Sequence, residues 1–419
     1  MPPLSSYSHR KNRSFYLIHF TGINKLPMIA VMQVRETGLP ATLVTFLGMA
    51  CLAAAMGIGR FAFTPLLPLM QQHAGTSIAQ GAWLAAANYI GYLVGALVCV
   101  RVGPSPGRSM GVGLFVVGAS TAVMAMGEGL APWLLLRLVA GVASAFVMVG
   151  ASSWALAALA AAGRADQSGW VFGGVGIGIV VAGLVALITA SLGQPPAMAW
   201  LALGGCAFLV FLGGWSFWSR ADPPSVNPAA AGVSRFGMAE WALIVCYGSF
   251  GFGYIIPATF IPAIARSLIH DPIVFGWAWP LFGATATAST VLVTRYLGAV
   301  PPRTVAVWSL VVMATGVIAP ALAPNLATVV ISALCVGGTF MVMTMAGIQE
   351  ARRLSAVTPG RLIAAMTAAF AVGQLAGPVL VGLGSATRDA ILAQSVAATL
   401  LLLLSAATLA FGPGRTSGK

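Results

Sequence analysis

Charge is what this sequence lacks most. Only 7% of its 419 residues are charged, whereas 59% are hydrophobic. A soluble globular chain carries about 25% charged residues. In water, a chain this poor in charge would expose large apolar patches, so lipid must be its main solvent. Paired cysteines are missing too. Cys51, Cys99, Cys206, Cys246 and Cys335 lie singly inside apolar stretches, which excludes a disulfide framework and a thiolate zinc site. No acid sits in the middle of an apolar run. Glu36, Glu128, Asp166, Asp222, Glu240, Asp271, Glu350 and Asp389 all fall in loops or at run ends, and His9, His19, His73 and His270 are also away from run centres. An embedded acid that trades a proton for a cationic drug is therefore absent, and cationic multidrug export is disfavoured. No metal cluster or nucleophile–base pair is visible, so an enzyme is not expected. The Gly-x-Gly near 174–178 follows no strand, so no dinucleotide or other cofactor is implied.

What is present is length and apolarity in blocks. A span needs about 20 mostly apolar residues. Twelve stretches qualify: 40–69, 78–100, 109–127, 131–160, 168–191, 197–218, 238–266, 272–294, 304–322, 325–349, 361–384 and 389–411. The expected fold class is an all-α polytopic membrane protein. The parts are a tail over 1–36, a six-helix bundle over 37–218, a Pro- and Ala-rich linker over 219–237, a second bundle over 238–411, and a tail over 412–419. In the first tail, the apolar run from Phe15 to Ile23 is broken by His19 and does not read as a signal peptide. Met28 and Met32 are alternative starts.

The net charge of +13 orients the chain rather than binding nucleic acid. With the N-terminus in the cytoplasm, 17 of the 21 Lys and Arg residues fall in the tails and inner loops. The outer side holds Arg266 and Arg388. The positive-inside rule then places both termini in the cytoplasm, in a bacterial inner membrane.

The halves repeat. Met56-Gly-Ile-Gly-Arg-Phe-Ala-Phe-Thr-Pro-Leu-Leu-Pro68 aligns with Phe250-Gly-Phe-Gly-Tyr-Ile-Ile-Pro-Ala-Thr-Phe-Ile-Pro262 at an offset of 194. Arg101 and Arg108 map onto Arg295 and Arg303. The glycines 169, 173 and 178 map onto 373, 377 and 382 at an offset of 204. Six spans per half give both halves the same orientation, an arrangement of parallel repeats found in transporters with a site between the halves.

These segments resemble the major facilitator superfamily and, within it, the YbfB/YjiJ family. The resemblance rests on Gly57-Ile-Gly-Arg60-Phe-Ala-Phe-Thr-Pro65-Leu-Leu-Pro68, on Ala87-Asn88-Tyr89-Ile-Gly91-Tyr92-Leu-Val-Gly95, on Arg137-Leu-Val-Ala-Gly141, and on Gly373-Gln374-Leu-Ala-Gly377-Pro378. It covers roughly 40–411 and implies the major facilitator fold with transport by alternating access. It also implies that the first and fourth spans line the central cavity together. Two departures are visible. The loop Arg101-Val-Gly-Pro-Ser-Pro-Gly-Arg108 lacks the Asp usual before its Gly-Arg pair, and the fifth span lacks the Pro often found in antiporters.

Arg60 and Arg137 are the charges well inside spans. An Arg there needs water or a partner. A guanidinium holds carboxylate or phosphate bidentately, so Arg60 is the candidate for pairing with an anionic solute. The competing use is to satisfy carbonyls freed near Gly59, Pro65 and Pro68. Arg137 is a weaker candidate, able instead to pair with Glu128 or with helix-end carbonyls. Thr64, Asn88, Tyr92, Tyr247, Tyr254, Thr344 and Gln374 complete the candidate substrate-binding set. Tyr247 and Tyr254 share a helical face, and Tyr254 is the repeat-mate of Arg60. Helix bridging competes for Asn88. An aromatic belt accounts for Trp277 and Trp279, and packing accounts for Met341, Met343 and Met345. The expected function is secondary transport of a small organic solute, leaning to an organic anion. The alternatives are export of neutral metabolites or drugs, and a membrane sensor that binds without translocating. The partners are the solute, the bilayer and a coupling ion, H+ or another, with a monomer sufficient.

Overall fold

A computed structural model describes residues 39–102, 104–127, 129–218, 236–268, 276–355, 359–383 and 388–412. The expected N-terminal tail, the linker up to residue 235, Glu128 and Asp271 lie outside the described residues. Among those described there is helix and no strand. In chain order the helices are α1 (Ala41–Leu52), a π-helix (Ala53–Ile58), α2 (Phe63–Ala74), α3 (Ile78–Val102), α4 (Pro106–Val123), α5 (Leu130–Ala161), α6 (Ser168–Ser191), α7 (Pro196–Gly213) and α8 (Trp215–Trp218). They continue with α9 (Met238–Leu268), α10 (Ala278–Tyr296), α11 (Pro302–Leu322), α12 (Leu326–Leu354), α13 (Pro359–Leu383) and α14 (Arg388–Phe411).

Local chemistry sets the boundaries. Gly75, at φ 63°, ends α2 in the left-handed conformation that suits glycine. Ser77 and Gln80 form a reciprocal cap before α3, and Asn325 with Thr328 does the same for α12. Pro106, Pro196 and Pro302 open α4, α7 and α11, where a missing N–H leaves no bond unmade. α12 runs past the expected end at 349 and carries Glu350, Arg352 and Arg353 on its last turns.

Among the described residues, ten helical segments are long and apolar enough to cross a membrane, the first being the whole of Ala41–Ala74. α4 and α10 fall below that measure. Arg108 and several glycines dilute α4, and threonines dilute α10. The hydroxyls of Thr285, Thr287, Thr290 and Thr294 donate to the carbonyls four residues back, which removes their need for water.

The packing repeats with the sequence. α3 lies on α5 as α10 lies on α12, α1 on α6 as α9 on α13, and α4 on α7 as α11 on α14. Two further contacts, α3 with α13 and α6 with α10, exchange with one another under the same six-span shift. Small residues make these approaches. A Cβ on Gly57 would overlap backbone atoms of Gly178, one on Gly251 the carbonyl of Phe370, and one on Gly373 the carbonyl of Gly248. Inside a bilayer, packing of this kind drives helix association, because lipid is as apolar as leucine. The outer surface is accordingly greasy: Leu135, Leu209, Val245, Trp308 and Leu404 are all exposed.

Gly57→Leu is expected to force α6 away from the first span and destabilise the protein by about 3 kcal/mol or more. Gly205→Leu, whose Cβ meets nothing within 4 Å, is expected to be neutral. Thermal unfolding of the purified variants in detergent checks the pair.

Candidate functional site

The site begins where the first span stops being an α-helix. Over Ala53–Ile58 the chain widens into a π-helix, and 59–62 form a turn before α2. Phe61 N–H bonds back to Met56 O, and Thr64 N–H takes Phe61 O rather than Arg60 O. Carbonyls are thereby released in an apolar interior, where each needs a donor. Neighbouring helices supply them. Ser144 of α5 donates to Ala55 O at 2.7 Å. Arg137 of α5 donates through Nη1 to Gly59 O at 3.1 Å and through Nη2 to Arg60 O at 2.9 Å. Asn88 of α3 donates to Gly59 O at 3.3 Å and to Arg137 O at 2.9 Å. Arg137 is 3% exposed, and its guanidinium lies over the Phe63 ring. The structure therefore places Arg137 and Asn88 on the backbone of the broken helix.

Arg60 itself emerges from this turn and is 2% exposed. Its Nη2 donates to Oε1 of Gln374 on α13, and Gln374 Nε2 donates to the hydroxyl of Tyr254 on α9. This relay joins the first span to two helices of the second half. Nε and Nη1 of Arg60 are buried with no hydrogen-bond partner. No carboxylate among the described residues pairs with it. Rings enclose the guanidinium instead: its Cζ lies 4.1 Å from the centroid of Tyr92, 5.2 Å from Tyr89 and 5.5 Å from Phe61. These are cation–π distances. The Tyr254 ring is stacked between Phe340, at 5.7 Å and 5°, and Phe370, at 5.6 Å and 6°. Phe61 meets Phe340 edge-on at 5.9 Å.

The arrangement holds a buried cation among rings, with donors left unused. A buried cation carries free N–H donors, a phenol stands opposite, and an amide bridges the two. No cluster of His, Cys, Asp and Glu able to hold a metal occurs among the described residues.

The family described as uncharacterised MFS-type transporter YbfB matches residues 52–410. The chain belongs to that family. No curated protein matches it. MFS denotes the major facilitator superfamily, so the helices described above form a multi-pass membrane protein of a transporter family, as the motifs around Arg60, Asn88, Arg137 and Gln374 imply.

Of the expected site residues, the structure brings Arg60, Tyr92, Tyr254 and Gln374 together. Tyr254 and Arg60 do not meet directly; Gln374 stands between them. Thr64 is buried one turn beyond Arg60. Tyr247 donates to Thr344 O at 3.0 Å, and the Thr344 hydroxyl turns back to Phe340 O. These two tie α9 to α12, and no hydrogen bond joins them to Arg60. The rings of Phe61, Tyr89, Phe340 and Phe370 were not among the expected site residues. The signal for Tyr89 is its place between Asn88 and Tyr92, whereas the phenylalanines are indistinguishable in sequence from lipid-facing residues. Trp279, expected in an interfacial belt, is instead 1% exposed and stacked on Phe282 at 4.9 Å. Packing against neighbouring rings outweighs its attraction to the interface. Trp277, its partner in that expectation, is exposed as a belt residue would be. Met341, Met343 and Met345 are buried as packing.

A cavity of about 390 Å³ opens at the α5–α6 end of the protein, lined by Leu159, Asp166, Ser168, Thr294, Val342 and Arg352 among others. It lies between α5 and α6 on one side and α10 and α12 on the other. Glu350, on the last turns of α12, is 3% exposed, with Arg353 at 3.8 Å.

Arg137→Met is expected to destabilise the protein by about 1–3 kcal/mol, because the freed carbonyl of Arg60 loses its donor. The order of preference among solutes is expected to stay unchanged. Thermal unfolding together with competition binding checks both parts.

Proposed function

We propose that this protein is a secondary transporter that moves a small organic anion across a bacterial inner membrane by alternating access. Arg60 is the residue that pairs with the anion. The observation that carries this reading is a buried guanidinium with two nitrogens, Nε and Nη1, lacking a hydrogen-bond partner and with no carboxylate among the described residues beside it. A buried charge left in that condition is strongly disfavoured, and an arriving anion relieves it.

The proposed topology has twelve spans, α4 and α10 included, in two parallel six-helix bundles with both termini in the cytoplasm. The repeated helix pairing supports the division into six and six, and the basic loops support the orientation. In that frame the cavity at the α5–α6 end opens to the cytoplasm, and the Arg60–Gln374–Tyr254 relay closes the path beyond it. An anion reaching Arg60 competes with Gln374, loosens the join between the halves and favours their rocking. No nucleotide-binding motif is present, so ion or solute gradients drive the cycle.

Counterflow in proteoliposomes tests the reading. Vesicles preloaded with an unlabelled carboxylate are expected to accumulate the labelled form transiently. Binding without accumulation would favour a sensor instead, and accumulation of neutral solutes alone would remove the anion assignment.

A further inference from the structure

We infer that the substrate is an aromatic monocarboxylate whose carboxylate takes the position now held by the amide of Gln374. This rests on the anion reading above and narrows it to a chemical class.

The head group follows from Gln374. Its amide lies between a guanidinium donor and a phenol, accepting from Arg60 and donating to Tyr254. A carboxylate is planar and of nearly the same size as an amide. One of its oxygens would accept from Arg60 as Oε1 does now. The other would accept from Tyr254, because a phenol hydroxyl rotates freely between donating and accepting. The free Nε and Nη1 of Arg60 provide the further donors of a bidentate guanidinium–carboxylate pair.

The single charge follows from the cations available. Arg137 has committed both terminal nitrogens to backbone carbonyls, so among the described residues Arg60 is the buried cation left for one carboxylate, and a second carboxylate would find none. An amino acid fits poorly as well. Its ammonium requires an anionic partner, and the described acids Asp166, Glu240, Glu350 and Asp389 lie at helix ends or beyond them.

The aromatic body follows from the surrounding rings. Phe340, Tyr254 and Phe370 form a near-parallel stack, Phe61 closes on Phe340 edge-on, and Tyr89 and Tyr92 turn their faces to the guanidinium. The faces of these rings offer a sugar or polyol no hydrogen-bond partner, and its many hydroxyls would have to share the three tyrosine hydroxyls. A flat ring can join the stack, and stacked or edge-on ring pairs are favoured beyond the area they bury. A saturated ring of the same size gains the apolar contact alone. The difference corresponds to about tenfold in affinity.

The test is equilibrium binding and ligand-induced thermal shift on the purified full-length protein in detergent. The probes are benzoate, 3-phenylpropanoate, cyclohexanecarboxylate, benzamide and succinate at up to millimolar concentration. An aromatic carboxylate is expected to bind about tenfold tighter than cyclohexanecarboxylate, with benzamide and succinate weaker still. Arg60→Met is expected to abolish binding of every carboxylate. Phe370→Leu is expected to weaken the aromatic acids about tenfold more than cyclohexanecarboxylate, bringing the aromatic preference towards unity, a readout that a merely folding-related role for the ring would not produce. Equal, Arg60-dependent binding of saturated and aromatic acids would overturn the aromatic assignment and leave the anion reading standing. Tighter binding of succinate would overturn the single charge. Binding of benzamide but of no carboxylate, or no carboxylate binding at all, would overturn both readings.

Discussion

Arg60→Ala is expected to lower carboxylate uptake into proteoliposomes by about 100-fold or more. Removing one partner of a buried, hydrogen-bonded charge pair removes about 2–5 kcal/mol of binding. Arg60→Lys is expected to keep part of the flux with a KM raised about tenfold, since an ammonium supplies the charge without the planar fork. The stability of the same variants separates function from folding. Arg60 donates a side-chain hydrogen bond to Gln374 and sits among the rings of Tyr89 and Tyr92. Removing its charge from an apolar interior relieves a desolvation penalty that offsets the loss of that bond. Arg60→Met is therefore expected to unfold within about 1 kcal/mol of the wild type while failing to transport. Arg137→Met is expected to behave in the opposite way. If Arg60→Met were strongly destabilised, Arg60 would be a structural residue like Arg137 and the anion assignment would lose its basis.

The contrast between these two arginines marks the limit of what the sequence discloses. Both stand as lone charges in apolar runs, and each has a structural and a functional use open to it. The competing use expected of Arg60, to satisfy carbonyls freed near Gly59, belongs instead to Arg137, which reaches them from another helix. Which one does so depends on the π-helix at Ala53–Ile58. Nothing in Ala-Ala-Ala-Met-Gly-Ile announces that widening, because it arises from packing against α5 and α6. The spans were legible because about 20 apolar residues in succession have few other uses. Their faces were not, because in a bilayer the outside is as apolar as the inside and periodicity loses its contrast. Phe340 and Phe370 were hidden for that reason, and Trp279 was assigned to the interface. The repeat offset did place Tyr254 level with Arg60. It could not show Gln374 between them, since the second-half glycine motif that carries Gln374 aligns at a different offset.

Gln374 gives the second large effect, with opposite signs in two variants. Gln374→Ala removes the internal competitor for the Arg60 guanidinium. A hydrogen bond to a charged group contributes about 1.5–3 kcal/mol, so carboxylate affinity is expected to rise about tenfold or more. The relay from the first span to α9 and α13 is lost at the same time. The melting temperature without ligand is therefore expected to fall, and the ligand-induced shift to grow. Gln374→Glu places a carboxylate where the substrate's is proposed to sit. It neutralises Arg60 permanently, and carboxylate binding is expected to weaken about 100-fold, with flux falling accordingly. A ligand moves a two-state equilibrium only by its differential affinity for the two states. An internal anion that binds Arg60 in the closed relay holds the protein there without any ligand. Isothermal titration with the best carboxylate, run on both variants, decides the matter. Tighter binding in Gln374→Ala with weaker binding in Gln374→Glu requires that amide and substrate compete for one guanidinium. Parallel losses in both would mean that Gln374 contacts the substrate directly instead of standing in for it.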